Sequence, residues 1–218
     1  PSRFLEDYFN EESLAIWYQD DGCLRGANRI LLSTECFSYD EVVFLQQLIE
    51  DKFGISSTID SQRRIDIHNR KNVELFLSYV SPFLSKGMIR KSLEPYYEKL
   101  SANTNKVLSQ QQNLNPEWRR TTIYVPLRIK QKLQSFPSPA KELHRRLPVM
   151  EELEKIQDPL YRRKRILESK RNSTCTRTHI QISPYTIHLE TQNYHGLKLL
   201  KQWTGIEMSV YILMLMGG

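Results

Sequence analysis

Between Glu11 and Asp20 the apolar residues of LAIWY fall at helical spacing, and the run stops in two acids and a glycine, Asp20-Asp21-Gly22. RILLSTECF (Arg29 to Phe37) is apolar and β-branched enough for a strand. In YDEVVFLQQLIEDKFGI, Val42, Val43, Leu45, Leu48, Ile49 and Phe53 mark one helix face and Gly54 supplies the stop. STIDSQRRIDIHN (Ser57 to Asn69) alternates as two short strands around a polar turn at Ser61 and Gln62, and Asn72 to Leu84 is helical as far as Pro82. The order helix, strands, helix, strands, helix predicts an α+β unit over residues 1–93.

Residues 94–118 are polar, rich in Asn and Gln and without a firm apolar stripe, and are expected to connect two domains. In residues 119–218, RTTIYVPLRIKQKLQSF and RTHIQISPYTIHLE with the residues after it each begin as a strand and pass into a helix, a weak internal repeat. Gly205 is expected to end one helix, with another starting near Glu207 or Met208. Between the repeats, Met150 to Asn172 is charged and mostly helical, interrupted by Pro159.

Composition narrows this picture. Cys23, Cys36 and Cys175 are far apart with no C-x-x-C pair, which argues against a zinc site or disulfide framework and fits a reducing compartment. No apolar run approaches membrane-spanning length and the start, PSRFLEDYFNEE, is acidic, so neither a span nor a signal peptide is expected. A cytoplasmic, nucleoid-associated protein of a bacterium or phage is the expectation, with an organelle as the alternative. The net charge of +6 is unevenly spread. Residues 1–93 hold 11 Lys and Arg against 14 Asp and Glu, a net −3, and residues 94–218 hold 20 against 11, a net +9. A basic, aromatic-bearing half suits neutralisation of nucleic-acid phosphates.

The two acids are out of place electrostatically, because a helix C-terminus carries partial negative charge and disfavours more of it. They are either a solvated stop or a cation ligand. LAIWYQDDG resembles the signature helix of LAGLIDADG homing endonucleases. The downstream segments come in that family's order: STECFSYDEVVFLQQLIEDKFGI, a hairpin ending RIDIH, then FLSYVSPFLSKGMIRKSL. Residues 5–93 look like the second repeat of two-repeat members. Gln19 stands where the family usually has a first, structural acid, and Trp17 and Tyr18 are bulky where helices pack closely.

The resemblance implies that Asp21 is the metal-binding acid, holding Mg²⁺ or another divalent cation, and that Lys91 is the catalytic lysine, with Lys86 the alternative. It implies a curved sheet along the DNA major groove, with Arg25, Asn28 and Arg29 on the first hairpin and Gln62, Arg63 and Arg64 on the second facing bases. Those side-chain types suit guanine and adenine; the alternative is that they are solvated turn residues, and His68 is taken as structural. Only one motif is present and the chemistry needs two facing acids. The resemblance therefore implies a second half, from another copy of the chain or from sequence before Pro1, since PSRFLEDYFNEE resembles the segment joining two repeats.

The strand-helix segments of residues 119–218 resemble ribbon-helix-helix modules, in which paired strands enter the major groove. Ile123 and Val125, or Ile180 and Ile182, would point inward, leaving Thr122 and Tyr124, or His179 and Gln181, to face DNA. A plain α+β cap is the alternative. The basic stretch Tyr161 to Arg171 would either track phosphates or be a solvated face. The leading function is a site-specific, metal-dependent double-stranded DNA endonuclease of homing type. The alternatives are a non-cleaving transcriptional regulator and an RNA-binding intron maturase.

Overall fold

Asn10 starts the first long helix by accepting a hydrogen bond from the Ser13 backbone N–H at 2.9 Å, so α2 (Glu11–Asp21) follows the short α1 (Ser2–Tyr8) after one tight break. A hairpin comes next, β1 (Gly22–Arg25) and β2 (Arg29–Leu32), and then α3 (Tyr39–Phe53). A reciprocal capping box between Ser38 and Glu41 opens α3, and Gly54 closes it in the left-handed region at φ 65°. The strand expected as far as Phe37 ends at Leu32, because the residues after it lead into that cap. The second hairpin is β3 (Thr58–Ile59) and β4 (Ile65–His68), after which come α4 (Arg70–Val80), 3-10 turns at Ser81–Phe83 and Lys86–Lys91, and α5 (Glu94–Ser109). The computed structural model describes residues 2–109, 118–175 and 182–215.

The first compact unit is Pro1–Tyr97. Its sheet is antiparallel in the order β1-β2-β4-β3. Ile30, Leu32, Ile65 and Ile67 are fully buried on one face, where α4 packs against β2 and β4, and α2 packs against α4. Each such side chain contributes roughly 1.5–3 kcal/mol of hydrophobic stabilisation. Of the face predicted for α3, Val42, Leu48, Ile49 and Phe53 are buried while Val43 remains exposed.

The second unit, Glu98–Gly218, contains most of α5. Residues 94–109, expected within a connector, are therefore helical. Their buried contacts are few, Leu100 and Thr104, and too sparse to read as a stripe. The unit continues with β5 (Trp118–Pro126), α6 (Leu127–Gln134), α7 (Pro139–Arg146), α8 (Val149–Lys155), α9 (Pro159–Cys175), β6 (Ile182–Glu190), α10 (Thr191–Thr204) and α11 (Met208–Leu215). The strands β5 and β6 pair antiparallel along their whole length, from Trp118↔Glu190 to Pro126↔Ile182. Ile123, Val125, Ile187 and Leu189 are buried beneath the ribbon. Gly196 allows α10 to lie close on α8, since a Cβ there would come within 2.6 Å of Val149 and 2.8 Å of Met150. Gly205, left-handed at φ 70°, separates α10 from α11. Ile180, His179 and Gln181 lie outside the described residues.

Candidate functional site

The C-terminal end of α2 is bonded to the segment that carries Lys91. The Lys91 Nζ donates to the carbonyl oxygens of Gln19 at 2.6 Å and Tyr18 at 3.1 Å. In return the Tyr18 hydroxyl donates to the Lys91 carbonyl at 2.7 Å. A cation on the last carbonyls answers the helix dipole that Asp20 and Asp21 oppose. Gln19 extends the attachment: its amide nitrogen donates to the Phe83 carbonyl at 3.4 Å, and its Oε1 accepts from the Ser85 N–H at 2.8 Å. A neutral amide suits this position because it donates and accepts at once, which a carboxylate does not. Burial holds the Tyr18 phenol well above its ordinary pKa, with the nearby Cys23 adding to the shift.

Gly22 is required by close approach, because a Cβ there would meet the Tyr18 ring and lie 2.5 Å from the Tyr18 carbonyl. The Asp21 carbonyl accepts from the Ser33 N–H at 3.0 Å, fixing the end of α2 against the end of β2. The Asp21 side chain is left exposed, two residues beyond the carbonyl of Gln19 that Lys91 grips. Asp21 also lines a cavity of about 660 Å³ walled by Phe9, Trp17, Phe37 and Phe44, with Asp40 and Glu41 at its margin. Among the described residues no group of three His, Cys, Asp or Glu side chains gathers to hold a metal. Lys86, the alternative lysine, is exposed on the 3-10 turn that ends at Lys91.

On the sheet face opposite the buried isoleucines, register places Arg25, Arg29 and His68 in one row and Cys23, Leu31, Asp66 and Thr58 in the next. Arg25 and Asn28 are exposed, and Arg25 makes no ion pair among the described residues. Arg29 is held by Asp66 through two charge-assisted hydrogen bonds of 3.0 and 2.8 Å, which raise its pKa further. Arg63, at φ 62°, donates to the carbonyls of Glu35 and Phe37. Arg64 pairs with Asp60 at 2.7 Å. The Asp60 carboxyl lies below its ordinary range because it accepts from the backbone N–H groups of Arg64 and Gln62 and from the Arg64 side chain. Gln62 itself is exposed. His68, read from the sequence as structural, is exposed beside Arg29. The signal for it was present, since in RIDIH the two isoleucines point in and His68 must point out.

In the second unit Thr122 and Tyr124 are exposed on the ribbon, Tyr124 at 62%, and Arg119 and Arg120 are exposed with them. Register sets Thr122 opposite Thr186 and Tyr124 opposite Pro184, and Pro184 too is exposed. The basic helix α9 is partly structural: Arg165 pairs with the buried Glu152 at 2.6 Å and with Glu168 at 2.9 Å. Burial together with its hydrogen bond to Glu152 pushes the Tyr161 phenol up to about 12. Arg163, Lys164 and Arg171 line a shallow surface groove on the same helix.

Residues 1–75 match the model of the LAGLIDADG DNA endonuclease family. The cytochrome b mRNA maturase bI2 of Saccharomyces cerevisiae is 36% identical over 94 residues, covering 43% of this chain and 20% of the yeast protein. The intron-encoded endonuclease ai4 of Dictyostelium discoideum is 32% identical over 94 residues, covering 40% of this chain and 57% of its own length. An uncharacterized protein of Methanocaldococcus jannaschii is 36% identical over 81 residues, 34% of this chain and 32% of that protein. The matched part thus spans between a fifth and somewhat over half of these relatives. The match takes in the signature helix, both hairpins and the start of α4. The similarity to the LAGLIDADG DNA endonuclease family therefore lies in residues 1–75, where the family model matches.

Proposed function

We propose that the chain is one half of a site-specific, metal-dependent endonuclease acting on double-stranded DNA. The observation that carries this reading is the end of α2, where an exposed Asp21 lies beside a lysine bonded to the same helix turn. One carboxylate from this half, Asp21, fits as a ligand of a shared site, with a second half, the scissile phosphate and water supplying the rest. A divalent cation such as Mg²⁺ would there lower the pKa of water and stabilise the leaving oxygen. Asp21 holds and orients; Lys91, fixed by the Tyr18 and Gln19 carbonyls, offers positive charge close to the phosphate.

The second half is another copy of the chain or sequence preceding Pro1. Ile16, 54% exposed on α2, and the aromatic-walled cavity that Asp21 lines support such pairing, because they are apolar surface that a second half would cover. On the sheet, Arg25, Asn28, Arg29, Gln62 and His68 face the major groove. In the second unit the ribbon reads DNA in the ribbon-helix-helix manner through Thr122, Tyr124 and Thr186. The alternation of buried Ile123 and Val125 with Thr122 and the exposed Tyr124 supports this.

The maturase reading is favoured by one specific finding, the yeast relative, which is named as an mRNA maturase. Incubating the chain, assembled with its second half, with a randomised duplex library in Mg²⁺ and sequencing the cut ends separates the two. The endonuclease reading predicts one enriched cut site that disappears with EDTA. Uncut DNA together with tight, specific binding of a structured intron RNA would replace it with the maturase reading.

A further inference from the structure

The second unit holds a groove that neither the cutting site nor the ribbon uses. It lies between α5 and α10, with a volume of about 430 Å³. The two helices are pinned by a buried hydrogen bond of 3.0 Å from the Trp203 indole N–H to the Thr104 hydroxyl. Beside that bond, α5 presents Asn103 and Lys106, and α10 presents Gln192, His195, Lys198 and Gln202. No carboxylate lines the groove among the described residues. Among them, too, Lys106 and Lys198 form no ion pair; Lys198 instead lies 4.6 Å from the centre of the Tyr194 ring. The Gln192 side-chain nitrogen is buried and has no hydrogen-bond partner among the described residues.

A buried donor left unmet costs about 1–3 kcal/mol and is rare in a native fold. Two lysines without carboxylate partners and a histidine in the same groove specify what would meet it: an acceptor that carries negative charge. Among the polar groups that line the groove, donors outnumber acceptors, which favours an anion over a neutral ligand. We propose that it is an oxyanion site for a phosphate group, bound by Lys106, Lys198 and the Gln192 amide, and that on duplex DNA it takes one backbone phosphate. The last step rests on the DNA-binding reading above; the oxyanion site itself does not.

The test uses the full chain in two arms. In the first, inorganic phosphate is titrated calorimetrically into wild type, into the Lys106→Gln/Lys198→Gln double variant, into Gln192→Glu, and into a Lys155→Gln/Lys201→Gln control with the same charge change outside the groove. In the second, duplex affinity is measured against salt, where one neutralised phosphate contributes about 0.9 to the slope of log affinity on log salt. The proposal expects phosphate binding by wild type and the control, its loss in both groove variants, and a slope about 0.9 shallower in the groove double variant than in the control. Loss of phosphate binding with no difference in slope would keep the site and overturn its use on DNA. Phosphate binding equal in all four proteins, or absent from wild type, would overturn the site. Wild type that binds phosphate but no duplex would defeat the DNA reading alone.

Discussion

The Lys91 ammonium closes the last turn of α2 through the Tyr18 and Gln19 carbonyls, and on the proposed reading it also acts at the Asp21 site. Lys91→Met should therefore lower stability by about 1.5–3 kcal/mol, the range for hydrogen bonds involving a charged group, and slow single-turnover cleavage at least tenfold. Thermal unfolding and quenched-flow kinetics report the two effects separately. The cut sequence should not change, and a changed sequence would move Lys91 to the DNA-reading surface. This lysine is legible from its place after the proline of FLSYVSPFLSKGMIRK, though its bonds are not. The engagement of the arginines is less legible, because Asp66 and Glu35 meet Arg29 and Arg64 only once the strands are assembled, the Asp60–Arg64 pair alone being local to a turn. That engagement gives Asp66 a role. Asp66→Asn removes the carboxylate that fixes the Arg29 guanidinium, so it should relax preference at one base pair by about 1–3 kcal/mol. Competition binding against single-base variants of the site measures this. A uniform loss at every position would instead make Asp66 purely structural.

At the scale of elements, α2 is fixed at one end by Asn10 and at the other by Tyr18, Gln19 and Gly22. The Tyr18 phenol ionises in the unfolded chain near the ordinary tyrosine pKa of about 10 but resists ionisation when folded. Its contribution is thus complete below that pH and is lost as pH rises above it. Wild type should lose more stability between about pH 9 and about pH 11 than Tyr18→Phe, which at neutral pH is weaker by about 1 kcal/mol for the missing hydrogen bond. Parallel alkaline slopes in urea titrations of the two proteins would contradict the assignment. Strong patterns make α2, α3 and the second hairpin visible in sequence, while the first hairpin is expected only from the family resemblance, since patterning marks one strand there and not β1. Helix α5 is not visible there, because its packing depends on Thr104 meeting Trp203, 99 residues away, and not on a local stripe. The second ribbon strand is expected as a short strand beginning near Thr178, whereas the described strand β6 runs on from Ile182 to Glu190, paired with β5 in a register that no local sequence signal specifies.

For the whole molecule, charge and chemistry are divided between the units. The acid and lysine lie in the first, whose residues up to 93 carry a net −3, while residues 94–218 carry +9. An acidic half suits the holding of a cation, and a basic half suits phosphate neutralisation. Among the described residues no helix is long and apolar enough to cross a bilayer. The central claim is that Asp21 acts on the metal and not on base recognition. It is tested most directly by measuring, for wild type and Asp21→Asn on one cognate duplex in Mg²⁺, both the single-turnover cleavage rate and the dissociation constant. Loss of a metal ligand predicts a rate lower by roughly a thousandfold or more, with the dissociation constant changed by less than about threefold. Cleavage by Asp21→Asn at the wild-type rate would contradict the account.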